Sequence, residues 1–174
     1  VKLMDGLIAD MLAVGGHEFA PPIDSGRFGS TLPRRPRRSV VASGDREKSQ
    51  VLTSDIPSDL PTIFGDAERL RLVFANLLDN ASKYTPEGGD IALKALHRTA
   101  HKLEVTVTDT GPGIPASLRD RIFEHSYRLE PDGSPGYGIG LATCQRIVRA
   151  HYGRIWVDSA GKQGSCFHVV LPIF

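Results

Sequence analysis

With 174 residues the chain falls within the ~100–200 residues usual for one domain and can bury a core of its own, which excludes a small disulfide-stapled scaffold. A hydrophobic fraction of 40% and a charged fraction of 24% are those of an ordinary globular protein, and a net charge of +1 excludes a strong overall pull towards nucleic acid or an acidic membrane. Cys144 and Cys166 lack metal or redox spacing, and no apolar run approaches the ~18 residues of a membrane span, so a reducing, cytoplasmic setting is the expectation.

In chain order, Val1, Met4, Leu7, Ile8, Met11 and Leu12 recur at spacings of three and four, which predicts an amphipathic helix over 1–14. So short a helix is marginal alone and reads as the end of a longer one. With no Met at position 1 and no signal-peptide core, the chain is expected to be a piece of a longer protein. Residues 15–50 are broken by Gly15, Gly16, Pro21, Pro22, Gly26, Gly29, Pro33, Pro36 and Gly44, and are expected to form an irregular linker with one edge strand near Val40 and Val41. The basic run RRPRR at 34–38 reads as a solvated part of that linker rather than a patch for an acidic partner.

From residue 51 onward the chain is orderly. VLTSDI alternates as a strand, and Asp66 caps a helix, AERLRLVFANLLDNASKY, whose core face is Leu70, Val73, Phe74, Leu77, Leu78 and Ala81. Thr85, Pro86, Gly88 and Gly89 stop it. DIALKALHR and KLEVTVTD alternate as two strands, a short helix is predicted from Ala116 to Phe123, and LATCQRIVRAHY forms a further helix. GRIWVDSA and GKQGSCFHVVLPIF close the chain as a hairpin. The order predicts an α+β domain over 51–174: a two-layer sandwich whose mixed, mostly antiparallel sheet carries helices on one face.

Four segments carry chemistry. Asn76 and Asn80 share a helix face by their spacing of four, and Lys83 and Tyr84 continue it. Amide oxygens suit Mg²⁺ held between protein and phosphates, and a lysine suits phosphate as a point charge. Next, Asp109-Thr110-Gly111-Pro112-Gly113-Ile114 follows a strand directly, so the Asp109 carboxylate can accept from an exocyclic amine while the glycines let the backbone approach a planar base. In IFEHSYR, Phe123 can anchor a lid and Arg128 can reach a phosphate. Finally, Gly136-Tyr137-Gly138-Ile139-Gly140-Leu141 opens a helix, where free N–H groups and the helix dipole favour an anion. The GxGxG spacing, with no strand before it, is not a dinucleotide fingerprint, and there is no GxxxxGK[ST] phosphate loop. Alone, each segment has an ordinary reading: a polar helix face, a turn, a core Phe, a flexible loop.

In order and spacing, NLLDNASKYTP, DTGPGI, IFEHSYR and GYGIGLATC resemble the N, first glycine, F and second glycine boxes of sensor histidine kinases, over roughly residues 50–174. YGIGLATCQRIVRAHYGRIWVDS is especially similar to cyanobacterial kinases of the clock-output SasA type. The resemblance implies the Bergerat ATP-binding fold, with ATP and Mg²⁺ as ligands. It implies that Asn80 coordinates the metal with Asn76 beside it, that Lys83 and Arg128 contact phosphates, and that Tyr84 and Ile114 flank an adenine bound by Asp109. Ile122, Phe123 and Tyr127 would line the pocket, 129–135 would be the lid, and Gly136, Gly138, Gly140 and Leu141 its hinge and the start of the phosphate-binding helix.

Related gyrase, Hsp90 and MutL ATPases place a water-activating Glu four residues before the metal-binding Asn. Here that residue is Asn76, which is no base, so the site is expected to hold ATP and hand its γ-phosphoryl to a nucleophile from elsewhere. His17 in HEFAPPI echoes the family's phosphoacceptor motif, but only 62 residues separate it from Asn80, too few for the helical hairpin and the first strand. The acceptor hairpin and a response regulator are therefore expected partners outside this chain, with no nucleic acid. The full-length protein is expected to be a homodimer and this segment a monomer. A docking module that has lost catalysis, and a true ATPase, are the alternatives.

Overall fold

The computed structural model describes residues 37–43, 48–57, 60, 63, 65–125, 127, 139–159 and 164–173; the helix expected over 1–14 and the linker before residue 37 lie outside them. In chain order the elements are β1 (Arg37–Ser43), β2 (Lys48–Asp55), α1 (Ala67–Tyr84), β3 (Asp90–Thr99), β4 (Lys102–Asp109), two 3₁₀ turns (Ala116–Leu118 and Arg121–Phe123), α2 (Gly140–Ala150), β5 (Arg154–Asp158) and β6 (Ser165–Pro172). The strands form one sheet in the order β1-β2-β3-β4-β6-β5. Among the described strands only β2 and β3 pair in parallel, and α1 is the crossover that a parallel pair requires. The α+β expectation of a mixed, mostly antiparallel sheet therefore holds. β1 forms at the expected edge position, with Val40 opposite Val51.

Alternation sorts the sheet residues. Leu103, Val105 and Val107 of β4 and Phe167, Val169 and Leu171 of β6 are buried against Val73, Phe74, Leu77 and Leu78 of α1 and Cys144, Ile147 and Val148 of α2. Each such large side chain is worth ~1.5–3 kcal/mol relative to exposure. The other face carries polar groups that satisfy one another. Glu104 accepts from Arg98 Nη1 at 2.8 Å and from His168 Nδ1 at 2.9 Å, and His168 stacks on Trp156 with centroids 4.8 Å apart.

Asp66 caps α1 as expected, its Oδ1 accepting from Arg69 N–H at 3.0 Å. A second tie comes from the far end of α2. His151 Nε2 accepts from the Asp66 N–H at 2.9 Å, and its Nδ1 donates to the Ile147 carbonyl at 2.8 Å. His151 is thus a packing residue, and it leaves room only for glycine at 65, where a Cβ would lie 2.3 Å from His151 Cδ2.

The helix expected over Ala116–Phe123 is instead two 3₁₀ turns. Pro115 starts the first, Arg119 between the two reaches the carbonyls of Ile114 and Ser159, and the backbone bonds close over three residues rather than four.

Just beyond α2, Tyr152 sits at φ 57° and is 90% exposed. A bulky residue in the left-handed region costs about 1 kcal/mol relative to glycine, with no packing to offset it. Tyr152→Gly is therefore expected to stabilise the domain by about 1 kcal/mol, read as a rise of a few degrees in melting temperature.

Candidate functional site

Helix α1 turns its apolar stripe to the sheet and leaves Asn76, Asn80 and Lys83 half-buried along another face. Asn76 reaches α2. Its amide hydrogen-bonds the Cys144 thiol, and its Oδ1 lies where a Cβ on Gly140 would stand only 3.2 Å away. The Cys144 thiol in turn donates to the Val73 carbonyl, with a separation of 3.7 Å. Burial pushes Cys144 up to about 12, so it stays a neutral thiol. Helix α2 begins at Gly140, beside Asn76, and Ile139 gives it no side-chain cap.

The end of α1 is held by a residue of β2. Gln50, only 2% exposed, donates through Nε2 to the carbonyls of Ser82 (3.0 Å) and Thr85 (2.7 Å), while Ser82 Oγ donates to its Oε1 (3.1 Å). This fixes the turn that carries Lys83 and Tyr84. The Lys83 ammonium lies 5.1 Å from the Tyr84 ring centroid, and Tyr84 is 49% exposed.

Asp109 ends β4 and is 6% exposed. Burial raises its carboxyl above the ordinary 3.8, opposed by hydrogen bonds from the backbone N–H groups of Gly111 and Ser165; the Gly111 bond is 2.8 Å. Gly111 is there because a Cβ would meet Asp109 Oδ1 at 2.8 Å and the Tyr84 carbonyl at 2.9 Å. Gly113 holds φ +74°, the conformation that lets the chain turn back towards Ile114. That turn is pinned from the β5–β6 connection: Ile114 N–H donates to Ser159 Oγ (2.9 Å), and Ser159 Oγ donates to the Gly164 carbonyl (2.6 Å). At the other end, Asp90 N–H donates to Thr110 Oγ1 at 2.9 Å, and Thr110 N–H to the Asp90 carbonyl at 3.1 Å.

The fold thus brings Asn76 against Gly140, and the Tyr84 carbonyl and the Asp109 carboxylate to either side of Gly111. Ile114, Ile122 and Phe123 are buried in the core, and Tyr127 packs against it with the Arg121 guanidinium 4.7 Å from its ring centroid. Ile139 is exposed and Leu141 half-buried at the start of α2. Arg128, Gly136, Tyr137, Gly138 and the segment 129–135 lie outside the described residues. Three contributors were not singled out by the sequence. Gln50 lies within the stretch expected to be linker, Ser159 looked like a strand end, and Gly164 looked like a hairpin residue. Only GKQG, a turn-rich run, hinted at the last.

Among the described residues no group of three His, Cys, Asp or Glu could cage a metal ion. The donors that Asn76 and Asn80 offer along α1 are neutral amide oxygens, which suit a hard cation only when a ligand's own oxygens complete its shell. The set therefore fits Mg²⁺ carried in with a polyphosphate. No helix among the described residues is long and apolar enough to cross a membrane.

Comparison with known proteins gives a consistent picture. Residues 65–174 match the family described as histidine kinase-, DNA gyrase B-, and HSP90-like ATPase. The adaptive-response sensory kinase SasA of Nostoc sp. (strain PCC 7120) is 58% identical over 182 aligned positions, covering 99% of this chain and 44% of that protein. SasA of Gloeothece citriformis is 57% identical over 130 residues, covering 74% of this chain and 33% of that protein. Among solved structures, the mycobacterial sensor histidine kinase MprB is 32% identical with a TM-score of 0.61, covering 70% of this chain and 82% of that one. Full-length ShkA in complex with AMPPNP is 35% identical with a TM-score of 0.65, covering 73% of this chain and 26% of that one. The chain spans about a third to less than half of the length of the curated relatives it matches.

Proposed function

Because the chain belongs to the histidine kinase-, DNA gyrase B-, and HSP90-like ATPase family, we propose that it binds ATP with Mg²⁺ as the catalytic domain of a cytoplasmic sensor histidine kinase. The observation that carries the nucleotide reading is the buried Asp109 carboxylate, raised by desolvation and held by two backbone N–H groups, with Gly111 packed against it where a Cβ would meet the carboxylate itself. A buried acceptor of this kind suits the amino group of adenine. Asn80 would hold Mg²⁺ together with phosphate oxygens, where the cation supplies charge neutralisation. Lys83, and Arg128 beyond the described residues, would counter the phosphate charge, Tyr84 and Ile114 would bracket the base, and the uncapped start of α2 with Gly140 and Leu141 would receive phosphate oxygens.

Kinase rather than hydrolase chemistry is favoured by Asn76. An amide takes no proton from water, so the residues present position the γ-phosphoryl without activating a nucleophile. The acceptor would be a histidine on a helical hairpin outside this chain, through which the full-length protein pairs as a homodimer, with a response regulator downstream.

Titration with Mg²⁺-AMPPNP is expected to show saturable binding, and Asn80→Ala is expected to weaken it about tenfold with Mg²⁺ but hardly at all without. No binding at millimolar nucleotide would favour a docking module instead. With γ-labelled ATP and the hairpin supplied in trans, label is expected on the hairpin; label on His17 would overturn the placement of the acceptor.

A further inference from the structure

Asn76 is seated on three sides. Gly140 leaves no Cβ against its Oδ1, Cys144 offers a sulfur to its amide, and Cys144 spends its own proton on the Val73 carbonyl one turn back along α1. The direction of this chain follows from the donors. The Val73 carbonyl can only accept, so the thiol donates to it, and the sulfur's remaining lone pairs can only accept from the NH₂ end of Asn76. The carboxamide torsion of asparagine is broad and nearly two-fold, so the amide has little orientation of its own. A partner that accepts but has no further proton to give selects one of the two orientations. The selected one turns Oδ1 to Gly140, at the mouth of the uncapped α2.

We propose that Cys144 is a positioning residue for nucleotide binding: its thiol, anchored on the Val73 carbonyl, holds the Asn76 amide with its oxygen towards the cleft. The inference rests on the reading of the cleft as an ATP-Mg²⁺ site. A flipped amide would present a donor where a cation and its water ligands need an acceptor, next to N–H groups that are donors already. Cys144 is fully buried and inert as a nucleophile, so its chemistry lies in being able to donate and accept at once. Serine shares that ability and valine does not, while valine is the better filler of an apolar space. The two substitutions therefore separate orientation from packing.

The test is titration of the chain and its Cys144→Ser, Cys144→Val and Asn76→Ala variants with Mg²⁺-AMPPNP and with Mg²⁺-free ADP, with melting temperatures measured in parallel. Cys144→Val is expected to weaken Mg²⁺-AMPPNP about tenfold, the loss of one hydrogen bond, while leaving Mg²⁺-free ADP within about twofold and the melting temperature nearly unchanged. Cys144→Ser is expected to bind within about twofold of the parent even though it melts earlier. In the Asn76→Ala background, Cys144→Val is expected to add nothing. Valine binding as well as cysteine, or serine and valine losing affinity in step with their melting temperatures, would reduce Cys144 to a packing residue and overturn the proposal. Asn76→Ala binding like the parent would overturn it at Asn76, whereas a parent chain that binds no nucleotide would overturn the underlying reading of the cleft.

Discussion

Asp109→Asn is expected to weaken nucleotide binding by roughly 100-fold or more while leaving the free protein as stable as before, or up to about 1 kcal/mol more stable. The two effects share one cause. Asp109 is 6% exposed, and its carboxyl is raised above 3.8 chiefly by burial. A raised carboxyl is bound more readily by a proton in the folded state than in the unfolded one. Below the ordinary value both states are protonated and the group contributes nothing. As pH rises through the window between the ordinary and the raised value, stability is lost, and above it the full desolvation penalty persists. Asparagine removes that penalty. It keeps one acceptor oxygen and loses the other, so the hydrogen bonding from the Gly111 and Ser165 N–H groups is weakened and the net gain is small. The ligand fares worse: a charge-assisted hydrogen bond of about 1.5–3 kcal/mol disappears, and an NH₂ group can meet another NH₂. Denaturant unfolding at neutral and acidic pH is expected to show any advantage of the variant shrinking with acidity. Nucleotide affinity of the parent is expected to fall on acidification at a higher pH than an ordinary carboxylate would give. A variant that still binds ATP tightly would remove Asp109 from the adenine site.

The second large effect is expected at a residue with no chemistry of its own. Gly164 has φ +89°, and a Cβ there would lie 2.0 Å from the Asp109 carbonyl oxygen, 3.0 Å from its carbonyl carbon and 3.1 Å from Thr110 Cα. All three are backbone atoms of the strand end that carries the site, so neither side can yield. Gly164→Ala is expected to cost more than about 3 kcal/mol, a drop on the order of 10 °C in melting temperature. Because the Gly164 carbonyl also receives Ser159 Oγ, which holds Ile114 N–H, the folded fraction is expected to bind nucleotide poorly as well. Gly88→Ala isolates the steric part. Gly88 has φ +73° but nothing within 4 Å of its would-be Cβ, so that variant is expected to lose only the conformational term, about 1 kcal/mol. Equal losses at the two positions would show that the clash at 164 relaxes away.

Much of the molecule was legible from residue order. The 3.6-residue spacing of Leu70, Val73, Phe74, Leu77 and Leu78 requires a helix with one buried face, and the strict alternation in KLEVTVTD requires a strand. Both signals are local, because they arise from the geometry of a single element. The same holds for the Asp66 cap, for Asn76 and Asn80 on one face, and for the family to which the four ordered segments point. The segment 116–123 reads as a helix because its apolar spacing suits one, whereas Arg119, between the two short turns, ties its guanidinium to the distant Ser159 carbonyl. What only the tertiary structure decided are the partners: Gln50 under the end of α1, His151 over its start, Gly164 against Asp109, and Cys144 behind Asn76. These contacts join residues up to 85 positions apart. No local period encodes them, because they depend on how the sheet twists and how the two helices cross it, and a side chain's neighbours are fixed only once those elements have packed.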